Sequence, residues 1–169
     1  MTGRVVFVGA GPGDPDLITL RGWRALQQAD VVLYDSLVDP GLLEGLEAER
    51  VFVGKRCGRH SMRQEAITAL LVRLALEGRC VVRLKGGDPA VFGRTGEEAL
   101  DLVRFGVPFA IVPGVSSAVA APALAGIPVT HRGLVDSVCV LSANRQKDNP
   151  QLSIPPYHPR TTIVLLMAL

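Results

Sequence analysis

Short apolar, β-branched runs alternate with longer stretches of helical period along the first two thirds of the chain. The runs Arg4–Val8, Val31–Tyr34, Val51–Val53, Cys80–Leu84 and Phe109–Val112 predict strands. Their near-continuous apolar character suits strands buried on both faces. Between them, Thr19–Gln28, Arg63–Glu77 and Thr95–Phe105 have the length and spacing of helices, with a shorter helical piece near Pro40–Leu46. Such alternation predicts a parallel α/β sheet with flanking helices. Near Gly114 the pattern changes. An Ala-rich helix, Ser117–Leu124, precedes strand-like runs at Ser137–Leu141 and Thr161–Met167. The Pro-rich polar stretch between them, Asn144–Arg160, reads as a loop. The expected organisation is an N-terminal α/β domain over 1–113 and a C-terminal α/β domain over 114–169. The latter stops just after an apolar strand with a sheet edge open, and so reads as truncated.

Loops at the carboxyl ends of parallel strands form the binding crevice, and the unusual residues of this chain fall there. Gly9-Ala-Gly11-Pro12-Gly13-Asp14-Pro15 follows the first strand, Asp35 the second, and Gly54-Lys55-Arg56 the third. Gly86-Gly87-Asp88-Pro89 and Phe92-Gly93-Arg94 follow the fourth, and Pro113-Gly114-Val115-Ser116-Ser117 the fifth. Five such loops on one edge point to a site more strongly than any one of them.

Each loop also has a plainer reading. The first is not a dinucleotide fingerprint: Asp14 stands where the third glycine belongs, and Pro12 lacks a backbone donor. What remains is a glycine turn that either contacts a ligand or simply turns the chain. Asp35 is a turn or capping residue, or one half of an opposite-charge pair with Lys55 on the neighbouring strand end. Lys55 and Arg56 also read as solvated loop charges. Asp88 caps the next turn or accepts from a ligand hydroxyl. Arg94 and Glu97, three apart at a helix start, share a face and form either site residues or a surface ion pair. Ser116 or Ser117 caps the Ala-rich helix, leaving the other hydroxyl for a ligand. His131 has no partner at metal-ligand spacing, and Met167 in an apolar strand reads first as core.

Composition narrows the picture. The 169 residues are 48% hydrophobic with a net charge of +2, enough for a full core and too weakly basic to argue for nucleic acid. Three cysteines (Cys57, Cys80 and Cys139) without metal spacing suit reduced thiols in a cytoplasmic protein, the last two as core residues. No apolar run reaches membrane-spanning length.

Taken together, the motifs resemble a known family. Val8-Gly-Ala-Gly-Pro-Gly-Asp-Pro15, Tyr34-Asp35, Val53-Gly-Lys-Arg56, Val82-Arg-Leu-Lys-Gly-Gly-Asp-Pro89, Phe92-Gly-Arg94 with Gly96-Glu-Glu98, Val112-Pro-Gly-Val115 and Gly126-Ile-Pro-Val-Thr-His-Arg132 are similar to those of the uroporphyrinogen-III C-methyltransferases, a subgroup of the tetrapyrrole (class III) methylases. The resemblance runs from residue 4 to about 140. It implies a two-domain tetrapyrrole-methylase fold that binds S-adenosyl-L-methionine (SAM), works as a homodimer without a metal, and continues past Leu169. It implies conversion of uroporphyrinogen III to precorrin-2 by methylation at C2 and C7, on the route to sirohaem and cobalamin, with S-adenosyl-L-homocysteine as by-product. By motif, Pro12, Gly86, Gly87, Asp88, Val91, Ser116, Ser117 and Met167 would contact SAM. Asp35 and Lys55 match proton-transfer positions, with Arg94 and Glu97 beside them in the catalytic set. Arg56, Arg94 and Arg132 are the expected anchors for the carboxylates of a small-molecule tetrapyrrole. The competing readings are a truncated or inactive relative acting as a binding or assembly partner, a methylase of a later precorrin, and, more remotely, a nicotinamide-binding protein.

Overall fold

The structure, a computed structural model, describes residues 2–54, 62–143 and 154–168. The chain divides into two compact units, Met1–Val115 and Ser116–Leu169.

In the first unit, five parallel strands form one sheet: β1 (Arg4–Gly9), β2 (Val31–Tyr34), β3 (Glu49–Phe52), β4 (Cys80–Lys85) and β5 (Phe109–Val112), in the order β3-β2-β4-β1-β5. Three helices connect them: α1 (Leu20–Gln27) after β1, α2 (Gln64–Leu76) after β3 and α3 (Thr95–Arg104) after β4. Strand side chains alternate between faces, so β1 feeds two cores. Val5 and Phe7 pack with Val31, Leu33 and Val81 beneath Ile67, Leu71 and Leu74 of α2 and Leu102 of α3. Val6 and Val8 pack on the opposite face with Val32, Val82 and Leu84 beneath Leu26 of α1. Phe7, Leu33, Leu71 and Leu102 are fully buried, each contributing about 1.5–3 kcal/mol through the area it removes from water.

Four expectations are corrected. The strands are not all buried on both faces: β3 and β5 are the sheet edges, and Phe109 and Ile111 remain 38% and 42% exposed. The third strand spans Glu49–Phe52, because its register is set by pairing Val31↔Glu49 through Tyr34↔Phe52. The helical piece near Pro40–Leu46 is a single 3-10 turn, Pro40–Leu43, which Asp39 caps by accepting the Gly41 amide at 2.7 Å. Cys80 and Cys139 are free thiols, partly exposed rather than core, and the Cys80 sulfur accepts from Arg4 Nε at 3.4 Å. Cys57 lies outside the described residues.

In the second unit, α4 (Ser117–Leu124) packs against β7 (Thr161–Leu166), which pairs in parallel with β6 (Ser137–Ser142) from Ser137↔Thr161 to Ser142↔Leu166. Arg160 grips both carboxylate oxygens of Asp136, with Nη2 to Oδ1 at 2.7 Å, at the start of both strands. Of the expected loop, 154–160 carries no helix or strand, and 144–153 lies outside the described residues. No helix among the described residues is long and apolar enough to cross a membrane.

Candidate active site

β1 and β4 are neighbours, yet the helices that follow them lie on opposite faces of the sheet, α1 on one and α3 on the other. A crevice opens where adjacent strands diverge in this way. The two loops at that point are zipped together by main chain: Gly11 and Gly87 exchange amide-to-carbonyl bonds of 3.2 and 2.6 Å. Gly11 and Gly87 both have positive φ (84° and 66°), the reason for glycine at each.

The loop after β5 joins them. A Cβ on Gly114 would sit 2.3 Å from the Gly87 carbonyl oxygen and 2.6 Å from the Gly9 Cα. Three glycines thus let three strand ends touch backbone to backbone. Asp88 fastens the junction. Its Oδ2 accepts the Gly114 amide at 2.9 Å, and its Oδ1 accepts the Ala90 amide at 2.7 Å. Of the two readings of Asp88, the cap is the one seen, and the carboxylate also braces the neighbouring loop.

Asp35, at the end of β2, closes a turn by accepting the Leu37 amide at 3.0 Å, and its Oδ2 lies 3.6 Å from Arg83 Nη2. Gly54 stands beside it at the end of β3, where an added Cβ would lie 3.1 Å from the Asp35 Cα. Lys55 and Arg56 come next and lie outside the described residues.

On this side of the sheet the core turns from apolar to charged as it nears the loops. Arg83 and Lys85 share a face of β4 with Val81, and both are buried. Their counter-ion is Glu98 of α3, with no exposed surface. Glu98 Oε1 accepts from Gln64 Nε2 at 2.7 Å and faces Arg83 Nε at 3.5 Å, while Oε2 lies 2.6 Å from Lys85 Nζ. Burial pushes the Lys85 ammonium below its ordinary pKa, and the Glu98 carboxylate opposes that shift. Reading Cys80–Leu84 as an apolar strand missed this cluster. The signal was available: two basic residues two apart in a strand covered on both faces require a buried anion.

The loop from β4 to α3 is strained and strapped. Phe92 and Arg94 adopt left-handed φ values of 51° and 54°, each costing about 1–3 kcal/mol in a residue with a side chain. Thr95 Oγ1 donates to the Pro89 carbonyl and Lys85 Nζ to the Gly93 carbonyl, holding the loop closed. Val91, Phe92 and Arg94 project from it with substantial exposure. Arg94 chelates Glu97 at 2.9 and 2.6 Å on an exposed surface; its guanidinium holds the Glu97 carboxyl below the usual range.

The expected residues therefore fall into groups. Pro12, Asp35, Gly86, Gly87, Asp88, Val91, Arg94 and Glu97 lie in the first unit, on the carboxyl-end loops of β1, β2 and β4 or at the start of α3. Gly86 is pressed against Leu37, whose Cβ would lie 2.7 Å from an added Cβ. Ser116, Ser117, Arg132 and Met167 lie in the second unit. Ser116 caps α4, its Oγ accepting the Ala118 amide at 3.3 Å, and Ser117 is the first helical residue. Arg132 is exposed in a turn closed by the His131↔Val135 bridge. Met167 is not core: it is 49% exposed, with a left-handed φ of 57° just after β7.

The chain is similar to known proteins along nearly its whole length. Uroporphyrinogen-III C-methyltransferase of Methanocaldococcus jannaschii is 49% identical over 170 residues, covering 98% of this chain and 70% of that protein. Siroheme synthase 1 of Halorhodospira halophila is 50% identical over 99% of this chain, which spans only 35% of that protein's length. A crystal structure of uroporphyrin-III C-methyltransferase from Thermus thermophilus, complexed with S-adenyl homocysteine, matches with a TM-score of 0.81 at 46% identity, covering 99% of this chain and 67% of that one. The profile of the Tetrapyrrole (Corrin/Porphyrin) Methylases matches residues 4–169, and the chain belongs to that family.

Proposed function

We propose that this chain carries the catalytic framework of a SAM-dependent C-methyltransferase that converts uroporphyrinogen III to precorrin-2 by methylation at C2 and C7. The observation that carries the reading is the crevice between β1 and β4, floored by the Gly11–Gly87 main-chain pair and bordered by an Asp35 carboxylate already facing Arg83.

The residues fit a flat adenosyl ligand. Glycine main chain lines the crevice floor, the position of a Cβ on Gly13 is open, and Val91 supplies an exposed apolar edge. Pro12, Gly86, Gly87 and Val91 are the proposed contacts in the first unit, and Ser116, Ser117 and Met167 in the second. Asp88 contributes by holding the loops, since each of its oxygens already accepts a main-chain amide. SAM, when bound, supplies an electrophilic methyl group, so this chain's own task is alignment and proton handling.

Methyl transfer from a sulfonium to a fully substituted pyrrole carbon leaves the macrocycle with an added positive charge, and a base must then take a proton from elsewhere on the methylated macrocycle. Asp35, whose Oδ2 lies 3.6 Å from Arg83 Nη2, is the proposed acceptor, with Lys55 completing the proton transfer. Arg56, Arg94 and Arg132 are the proposed grips on the substrate's carboxylates, because a guanidinium matches a carboxylate with two parallel donors. Glu97 keeps Arg94 oriented until substrate arrives. We place the enzyme in the cytoplasm as a homodimer, on the route to sirohaem and cobalamin.

Calorimetric titration with S-adenosyl-L-homocysteine, followed by an assay with SAM and uroporphyrinogen III, tests the reading. Saturable one-site binding and appearance of the dimethylated product are expected. A chain that binds neither SAM nor its by-product would overturn it.

A further inference from the structure

The buried Glu98 has no place in the mechanism above, yet it is the hub of the charged cluster beneath it. We infer that Glu98 is a positioning residue that holds Asp35 in place through Arg83. The inference rests on the proton-transfer role proposed for Asp35.

The chain of contacts is continuous. Glu98 Oε1 faces Arg83 Nε at 3.5 Å, and the far edge of the same guanidinium, Nη2, faces Asp35 Oδ2 at 3.6 Å. Arg83 Nη1 donates to the Leu33 and Leu84 carbonyls at 3.4 and 3.0 Å. A guanidinium is planar and rigid, so anchoring Nε and Nη1 fixes where Nη2 points. Glu98 is itself fixed, by Gln64 Nε2 at 2.7 Å and by Lys85 Nζ at 2.6 Å. The charges also balance: two buried cations, Arg83 and Lys85, stand against Glu98 and Asp35. Without the Glu98 charge, two neighbouring cations would share one partly exposed carboxylate. Lys85 would then compete for Asp35, and Arg83 would lose the Nε anchor that sets the angle at which its far edge meets that carboxylate.

Glu98→Gln preserves shape and the Gln64 contact while removing the charge. The Leu37 amide, which Asp35 Oδ1 accepts, reports the carboxylate's position without requiring turnover. In 15N-resolved spectra of the Glu98→Gln chain, the Leu37 resonance should move while amides of β6 stay in place. The kcat for methyl transfer should fall by roughly tenfold to a hundredfold, as expected for a misplaced reacting group, with the KM for SAM unchanged. Arg83→Lys, which keeps the charge but loses the fork, should give the same two changes, and it carries the test if Glu98→Gln does not fold. An unmoved Leu37 amide with unaltered kcat overturns the inference. So does a loss in which kcat, KM and melting temperature all shift together, the mark of a merely structural residue. If the wild-type chain shows no turnover while the Leu37 amide still responds to both substitutions, the methyltransferase reading fails and the Glu98–Arg83–Asp35 linkage stands.

Discussion

Asp88 accepts the Gly114 amide through Oδ2 at 2.9 Å, and this bond fastens the loop after β4 to the loop after β5, across the end of β1 that lies between them. The other carboxylate oxygen is taken by Ala90. Asp88→Asn would present an amide NH2 to one of two fixed N–H donors. A loss of about 1–3 kcal/mol is expected from the unsatisfied group, together with weaker binding of S-adenosyl-L-homocysteine. Urea denaturation and calorimetry on the same sample check both; stability unchanged within a few tenths of a kcal/mol would show that the bond is dispensable.

Gly114→Ala places a Cβ 2.3 Å from a carbonyl oxygen that cannot move independently of β4. Strand ends must separate, at a cost of about 1–3 kcal/mol or more. Gly96, in the first turn of α3, is the matched contrast: nothing lies within 4 Å of an added Cβ. Gly96→Ala should stabilise the fold by about 0.5–1 kcal/mol through lower unfolded-state entropy.

Lys85→Met leaves Glu98 short of a counter-ion inside the core, and a loss of about 3–5 kcal/mol is expected. Arg94→Ala removes an ion pair that solvent screens, so its stability should match the wild type. Its effect should appear in the assay: a KM for the tetrapyrrole raised by roughly tenfold, in keeping with one charged hydrogen-bond partner lost, at unchanged KM for SAM. Equal increases in both would argue against a substrate-gripping role.

Lys85 also sets a direction of pH dependence. Its folded pKa is depressed, chiefly by burial, below the ordinary 10.5. Between the two values the unfolded chain holds the proton that the folded chain has released, so stability from this group rises with pH. It is present above 10.5 and lost as pH falls through the folded value. Denaturation curves taken on approach to pH 10.5 should show an upward slope in the wild type relative to Lys85→Met. A flat difference would mean that the ammonium is not desolvated.

Much of the fold was legible in the chain because it depends on local period. Val5-Val6-Phe7-Val8 feeds both faces of a buried strand, and α2 falls within the stretch of helical spacing after it. Strand order is different: β5 pairs with β1 across about a hundred residues, so no local pattern identifies Phe109 and Ile111 as edge positions. In the site, Asp35 was readable as a turn residue, and one oxygen does meet the Leu37 amide; its expected partner Lys55 lies outside the described residues, and the cation it faces, Arg83, comes from β4. Arg83 and Lys85 signalled that a buried anion was needed, but not which one: Glu98 meets them through a contact between a strand and a helix that only the folded sheet brings together.

The glycine junction restricts how this site can change. At Gly9, Gly87 and Gly114 the crevice floor is main chain packed on main chain, and there is no side chain to exchange. Its contour is inherited from strand spacing and cannot be retuned one substitution at a time. Evolution or engineering toward a different ligand would therefore have to work from the rim, at Leu37, Val91 and Phe92, whose exposed side chains can vary while the floor is kept.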